Sequence, residues 1–149
     1  TFAFLPTIGT SYAITGMIDW SVLYIALPVG LITDGILHAN NTRDMNTDKR
    51  AGIVTMAMCM GKKSAAWLYA FEVTFPYIWI LACVIMGVFA WPTVLVLLTV
   101  PMAIKCAKTM LKGYQDINAI AMLDMQAAQL QMAFSVVLSI ALIVSKFIA

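Results

Sequence analysis

Long apolar runs, broken by only a few clusters of charge, constrain this chain more than any other feature of its sequence. Stretches near 20–38, 64–90, 93–112 and 125–144 reach or exceed the ~20 residues that an α-helix needs to cross a hydrocarbon core. In lipid every backbone N–H and C=O must be satisfied internally, so such stretches fold as helices. Hydrophobic residues make up 62% of the chain and charged ones 11%, against about 50% and about 25% in an ordinary soluble domain. A soluble fold of 149 residues still exposes roughly 30% of its unfolded area, too much to hide this composition. The expected fold class is all-α: a multi-span transmembrane helical bundle.

Five helical segments emerge along the chain. The first, 1–16, is short of a full span and has Pro6 near its start. Position 1 is Thr and the apolar run begins without a polar lead-in. The expectation is therefore a chain that opens inside a helix, with further spans upstream. Met17–Asp19 makes a turn, and Asp19 is placed to cap the next segment. That second span runs from about Trp20 to His38 and tolerates Pro28 and Gly30. A polar cap follows over 39–63, containing a short apolar piece from Ile53 to Met60 that is too brief to cross. The third span covers about 64–90, the fourth about 93–112 after a tight return at Trp91-Pro92, and the fifth about 125–144.

Charge placement gives the topology. With span two ending at His38, Arg43, Lys49, Arg50, Lys62, Lys63, Lys105, Lys108 and Lys112 all fall on one side, and only Lys146 falls opposite. Basic residues collect on the cytoplasmic side of a membrane or its topological equivalent. The expected setting is thus an integral multi-pass protein of a bacterial inner membrane or an organelle membrane. The net charge of +2 is too small to argue for nucleic acid. Cys59, Cys83 and Cys106 are scattered through apolar context and read as small buried hydrophobes.

The polar cap holds the one concentrated polar site, His38 to Arg50. Asn40, Asp44 and Asp48 recur at i, i+4 and i+8, which on a helix puts them on one face with neighbouring Cβ atoms about 5–6 Å apart. Two carboxylates and an amide suit Mg²⁺, which takes oxygen ligands and binds through one or two carboxylates plus substrate phosphates. Arg43, Lys49 and Arg50 flank the acids and are placed to hold phosphate oxygens. A solvated face laced with ion pairs is the plainer reading of the same residues.

The stretch Ile36 to Ala57, with its core Asn40-Asn41-x-Arg43-Asp44-x-x-x-Asp48 and Ala51-Gly52 and Thr55 downstream, resembles the second aspartate-rich motif of the UbiA superfamily of intramembrane prenyltransferases. It looks most like the menaquinone and vitamin K2 branch, the 1,4-dihydroxy-2-naphthoate prenyltransferases and their animal relatives. Gly9-Thr-Ser-Tyr-Ala-Ile-Thr-Gly16 is also similar to a segment of that branch. The resemblance implies a bundle of about nine spans, each of about 20 residues, of which about five lie here in a single C-terminal part, 1–149. It implies two inner-side aspartate motifs that bind a polyprenyl diphosphate through Mg²⁺, and transfer of the prenyl group to an aromatic quinone precursor. By position, Asp44 and Asp48 would be metal ligands with Asn40 beside them, Asn41 would shape the site, and Arg43, Lys49 and Arg50 would neutralise the diphosphate. The first motif, Asn-Asp-x-x-Asp-x-x-x-Asp, does not occur in these residues. Either a missing N-terminal half or partner chain supplies it, or the chain is a non-catalytic subunit of that fold, packed in a membrane complex or holding lipid or quinone.

Other polar residues within the spans are candidates by position, since an ionisable group in a membrane helix is a functional hypothesis. Asp34, one turn before His38, is read either as a catalytic acid that assists the metal or takes a proton from the acceptor, or as an interfacial acid. His38 reads as a helix-end hydrogen-bonding residue. Glu72 reads as a structural group facing the interior, paired with a polar neighbour such as Thr74. Tyr12 and Tyr69 are candidates to line a prenyl cavity. Asp124 and Gln131, at the opening of the last span, take no assigned face. A transporter reading is disfavoured, because transporter sites lie near the midplane.

Overall fold

The structure is a computed structural model and describes residues 3–148. All the regular elements among the described residues are helices, and all-α architecture follows from the hydropathy. Helix α1 (Phe4–Thr15) stops at Gly16, whose φ of 71° gives a left-handed cap with its N–H bonded to the Tyr12 carbonyl. The Asp19 carboxylate then accepts the Ser21 N–H at 2.8 Å, opening a 3-10 turn at Trp20–Val22 that runs into α2.

Helix α2 (Leu23–Arg50) is the main departure from the sequence reading. It does not end at His38 but runs on to Arg50, 28 residues in all, about 42 Å at 1.5 Å per residue, well beyond a ~30 Å hydrocarbon core. The first part of the polar cap is therefore helix, not loop. Nothing from Ile36 to Arg50 breaks a helix, since the segment has no proline or glycine; polarity alone had marked the end. The stop comes at Ala51-Gly52, with Gly52 at φ 72°.

Helix α3 (Met56–Met60) is a single short turn, capped by Thr55 and closed by Gly61. It leaves Cys59 exposed, whereas Cys83 and Cys106 are buried as their apolar context implied. Helix α4 (Lys62–Ile85) follows. It ends earlier than the apolar run, because residues 86–90 form a turn around Gly87 at φ 73°. The next span starts as a 3-10 stretch, Trp91–Thr99, and becomes α5 (Val100–Gly113). Helix α6 (Leu123–Ile148) completes the chain.

Four of these segments are long and apolar enough to cross a membrane: Trp20–Arg50, Lys62–Ile85, Trp91–Gly113 and Leu123–Ile148. Helix α2 packs on α4 and α6, α4 packs on α5, and α6 packs on the 3-10 stretch, which makes a closed four-member bundle. Its core holds Ile32, Tyr69, Val73, Ile80, Val96, Met110, Leu130 and Phe134. Gly35 lets α2 approach α4 closely; a Cβ there would stand 3.2 Å from Val73 Cγ1. Tyr77 donates or accepts a 2.7 Å hydrogen bond with Thr99 inside the bundle and meets Phe134 edge to face. Large apolar side chains such as Leu98, Ile85, Met132 and Phe147 point outward. In water that surface would be a liability; in lipid it is the required one.

Candidate functional site at the polar end of α2

Antiparallel connections bring the C-terminal ends of α2 and α5 together with the N-terminal ends of α4 and α6. The residues singled out on α2 sit at this end of the bundle, and the structure divides them between two faces.

One face turns to α6 and is organised by Arg43. Its Nε donates to Asp44 Oδ1 at 2.9 Å and its Nη2 to Asp44 Oδ2 at 3.1 Å. Its Nη1 donates to Asp124 Oδ2 at 2.6 Å and to the Ala121 carbonyl at 3.2 Å. A further bond runs from Nη2 to Asn40 Oδ1. Guanidinium offers five donors in a fixed fork that matches carboxylate geometry, and here that fork binds α2 to the first turn of α6. Arg43 is thus not a free cation waiting for a diphosphate, as the spacing had implied. It holds Asp44 in place and anchors the helix. Asn40 is likewise engaged in positioning Arg43. Asp124, unassigned from sequence, is the second acid of this network; an acid in the first turn of a helix also meets the positive end of its dipole.

The second face opens outward. Asp34 and Asn41 line a cleft of about 260 Å³ together with Leu37, His38, Met56 and Ala57. Asp34, Asn41 and Asp48 are seven residues apart, close to two full turns, so they stand in one file, with Asp44 one turn before Asp48 and offset toward α6. The Asp48 carboxylate has neither an ion pair nor a hydrogen-bond donor among the described residues. Lys49 and Arg50 lie exposed at the helix end.

Behind the cleft lies a buried pair that sequence reasoning missed. His38 Nδ1 stands 3.0 and 3.2 Å from the two Glu72 carboxylate oxygens, with the residues 5% and 3% exposed. Glu72 thus pairs across helices with His38 rather than with Thr74, whose hydroxyl bonds to the Ala70 carbonyl of its own helix. The other ring nitrogen, His38 Nε2, is buried without a partner. His38 is mid-helix, not at a helix end, because α2 runs on past it. The signal that could have found the pair is simple: two titratable groups deep in neighbouring spans need each other. Tyr69 is wholly buried with its ring edge-on to His38; it belongs to the core rather than to an open cavity, while Tyr12 is exposed. No cluster of three or more His, Cys, Asp or Glu side chains converges on one point among the described residues.

This polar helix end, with two acids one turn apart at the mouth of a membrane bundle, can be set beside known proteins. The family model described as the UbiA prenyltransferase family matches residues 1–130. The chain belongs to that family. Among relatives of this UbiA-family chain, a 1,4-dihydroxy-2-naphthoate octaprenyltransferase of Bacillus subtilis is 32% identical over 133 residues, covering 89% of this chain and 42% of the relative. The UbiA prenyltransferase domain-containing protein 1 of Gallus gallus is 39% identical over 103 residues, or 69% and 30% of the two chains. Its Drosophila melanogaster homolog is 48% identical over 63 residues, 42% and 18% of the two chains. The chain therefore spans less than half the length of each of these relatives. No solved structure matches it.

Proposed function

We propose that this UbiA-family chain carries one of two acidic half-sites of a prenyltransferase that moves a polyprenyl group from its diphosphate to an aromatic quinone precursor. The observation that carries the reading is the pair of acids Asp44 and Asp48, one helical turn apart at the polar end of α2, with Asp44 held by Arg43 and Asp48 facing outward. The name of the Bacillus relative supports an acceptor like 1,4-dihydroxy-2-naphthoate and a place in menaquinone or vitamin K2 formation.

The donor set fits Mg²⁺. Asp48 is unpaired, Asp44 is 36% exposed at its side chain despite its bond to Arg43, and all atoms offered are hard oxygens. Mg²⁺ needs only one or two carboxylates when substrate phosphates complete its shell, so the lack of a three-acid cluster does not exclude it. Asp44 and Asp48 would hold the ion, which would supply neutralisation of the charge that develops on the departing diphosphate. Arg43 keeps the Asp44 carboxylate oriented. Lys49 and Arg50 stand free to attract the diphosphate. Asp34 and Asn41, facing the cleft beside the acids, are placed to contact the acceptor. The apolar bundle excludes water, which would otherwise capture the allylic cation. The second acidic half-site and further spans would come from residues outside 1–149 or from a partner chain. The basic residues gathered at this end support its lying on the cytoplasmic or equivalent face.

The test is prenyl transfer by full-length protein in membranes, with Mg²⁺ supplied or chelated. Asp44→Ala and Asp48→Ala should each lower turnover at least about a hundredfold, the scale of losing metal stabilisation of developing charge. Undiminished turnover in either variant would remove the metal role. A full-length protein with no prenyl transfer under any condition, yet stably folded, would favour a non-catalytic membrane subunit.

A further inference from the structure

Away from the aspartate file, α5 presents a second charged feature that the proposed chemistry does not use. One side of α5 is buried through Ala103, Cys106, Ala107 and Met110. The other carries Lys105, Lys108 and Lys112 at i, i+3 and i+7, a single stripe, and all three are exposed. Like charges so spaced repel one another, and a stripe of them is normally interleaved with acids. Here none of the three forms an ion pair among the described residues. The nearest acid along the chain, Asp116, accepts the backbone N–H of Asn118.

The lysines border an open depression rather than an enclosed pocket. With Pro101, Ile104 and Thr109 they line a groove of about 560 Å³. The groove is graded along the helix. Pro101 and Ile104 form its apolar part, nearer the middle of the span. The lysines occupy the last about 10 Å of α5 toward the polar end, at 1.5 Å per residue. An apolar surface that ends in three unpaired ammonium groups at a membrane interface matches, in chemistry and direction, a membrane lipid with an acyl chain and an anionic headgroup, while the prenyl diphosphate of the proposed reaction is assigned to the acids of α2.

We propose that this groove binds one anionic phospholipid, with its phosphate among Lys105, Lys108 and Lys112 and an acyl chain along Ile104 and Pro101. Basic pockets on the cytoplasmic side of membrane helices bind such headgroups. This assignment stands independently of the prenyl-transfer reading, because none of its residues belongs to the aspartate file or the Arg43 network.

The experiment is native mass spectrometry of the full-length protein, incubated with equal amounts of phosphatidylglycerol and phosphatidylcholine. The wild-type protein should retain one phosphatidylglycerol in preference to phosphatidylcholine. Each of Lys105→Gln, Lys108→Gln and Lys112→Gln should lower that preference about fivefold, the scale of one lysine at a charged membrane surface, and the triple variant should abolish it. Lys62→Gln/Lys63→Gln, which removes two cations from the same end but outside the groove, should leave it intact. Three results would overturn the proposal: preference kept in the three single variants, equal loss in the Lys62/Lys63 control, or displacement of the lipid by inorganic phosphate. The first would show a groove without the site, the second a diffuse interfacial charge, and the third a site for soluble phosphate. The single variants remove one charge from an exposed face, so the test does not depend on the triple variant folding.

Discussion

Arg43 and the lysines of α5 are cations at the same end of the same bundle, and they are used in opposite ways. Arg43 lies between α2 and α6, and its donors reach Asp44, Asp124, Asn40 and the Ala121 carbonyl. Lys105, Lys108 and Lys112 face outward along a groove with no acid on them. Burial makes the difference. A partly buried guanidinium must find acceptors or forfeit its hydration, so it becomes a fastener. An exposed ammonium keeps its hydration and stays available to a ligand. The positive-inside count treats all of these residues alike, but only the exposed ones are free to bind an anion.

Several measurements would break or sharpen this contrast. The largest effect belongs to the acids: Asp48→Ala should abolish prenyl transfer, at least about a hundredfold, while leaving thermal stability nearly unchanged, because Asp48 is unpaired. Loss of fold instead of activity would make Asp48 a structural residue. Next comes the interior pair. Glu72→Ala strands His38 in the core and should cost about 1–3 kcal/mol, the usual penalty for a buried group left without its partner, seen as a lower midpoint of thermal unfolding in detergent. Glu72→Gln, which keeps one hydrogen bond, should recover part of that. Equal stability in all three proteins would show that the pair contributes nothing.

Arg43→Lys keeps the charge but cannot reproduce the fork. It should lose about tenfold in turnover through misplacement of Asp44, with a stability loss of about 1 kcal/mol. A variant as active as wild type would show that charge alone suffices at this position. The smallest effect should come from Lys63→Gln, an exposed cation outside both features, within about 0.5 kcal/mol of wild type. Salt should separate the two uses of charge. At about 1 M the Debye length falls to about 3 Å, which should weaken anionic-lipid preference at α5 far more than it affects the stability that depends on Arg43.

Much of the fold was legible from hydropathy, since a span announces itself by length and apolarity. The turn at Asp19 and the short piece before Gly61 were readable from capping and breaker residues, whereas the return expected at Trp91-Pro92 falls earlier, at residues 86–90 around Gly87, and Trp91-Pro92 open the next helix. Most of the other errors fell at polar positions. Helix α2 was cut short at His38 because a polar run reads as loop, although no residue there interrupts the backbone ladder. Glu72 was paired with a neighbour in sequence because periodicity reports faces and not which helix a face meets. Tyr69, offered as a cavity residue, turned out to be core for the same reason.

By itself the sequence determined the membrane setting, the helical class, the span order and the family, together with the spacing of Asn40, Asp44 and Asp48. These follow from properties local to a segment: its length, its apolarity, its period and its motif. Tertiary structure alone decided which polar groups are spent on one another. Arg43 with Asp124, and His38 with Glu72, are separated by 81 and 34 residues, and only the crossing of helices brings them together. That crossing consumes Arg43 and His38 in holding the bundle together, and it leaves Asp48 and the α5 lysines free to meet a ligand.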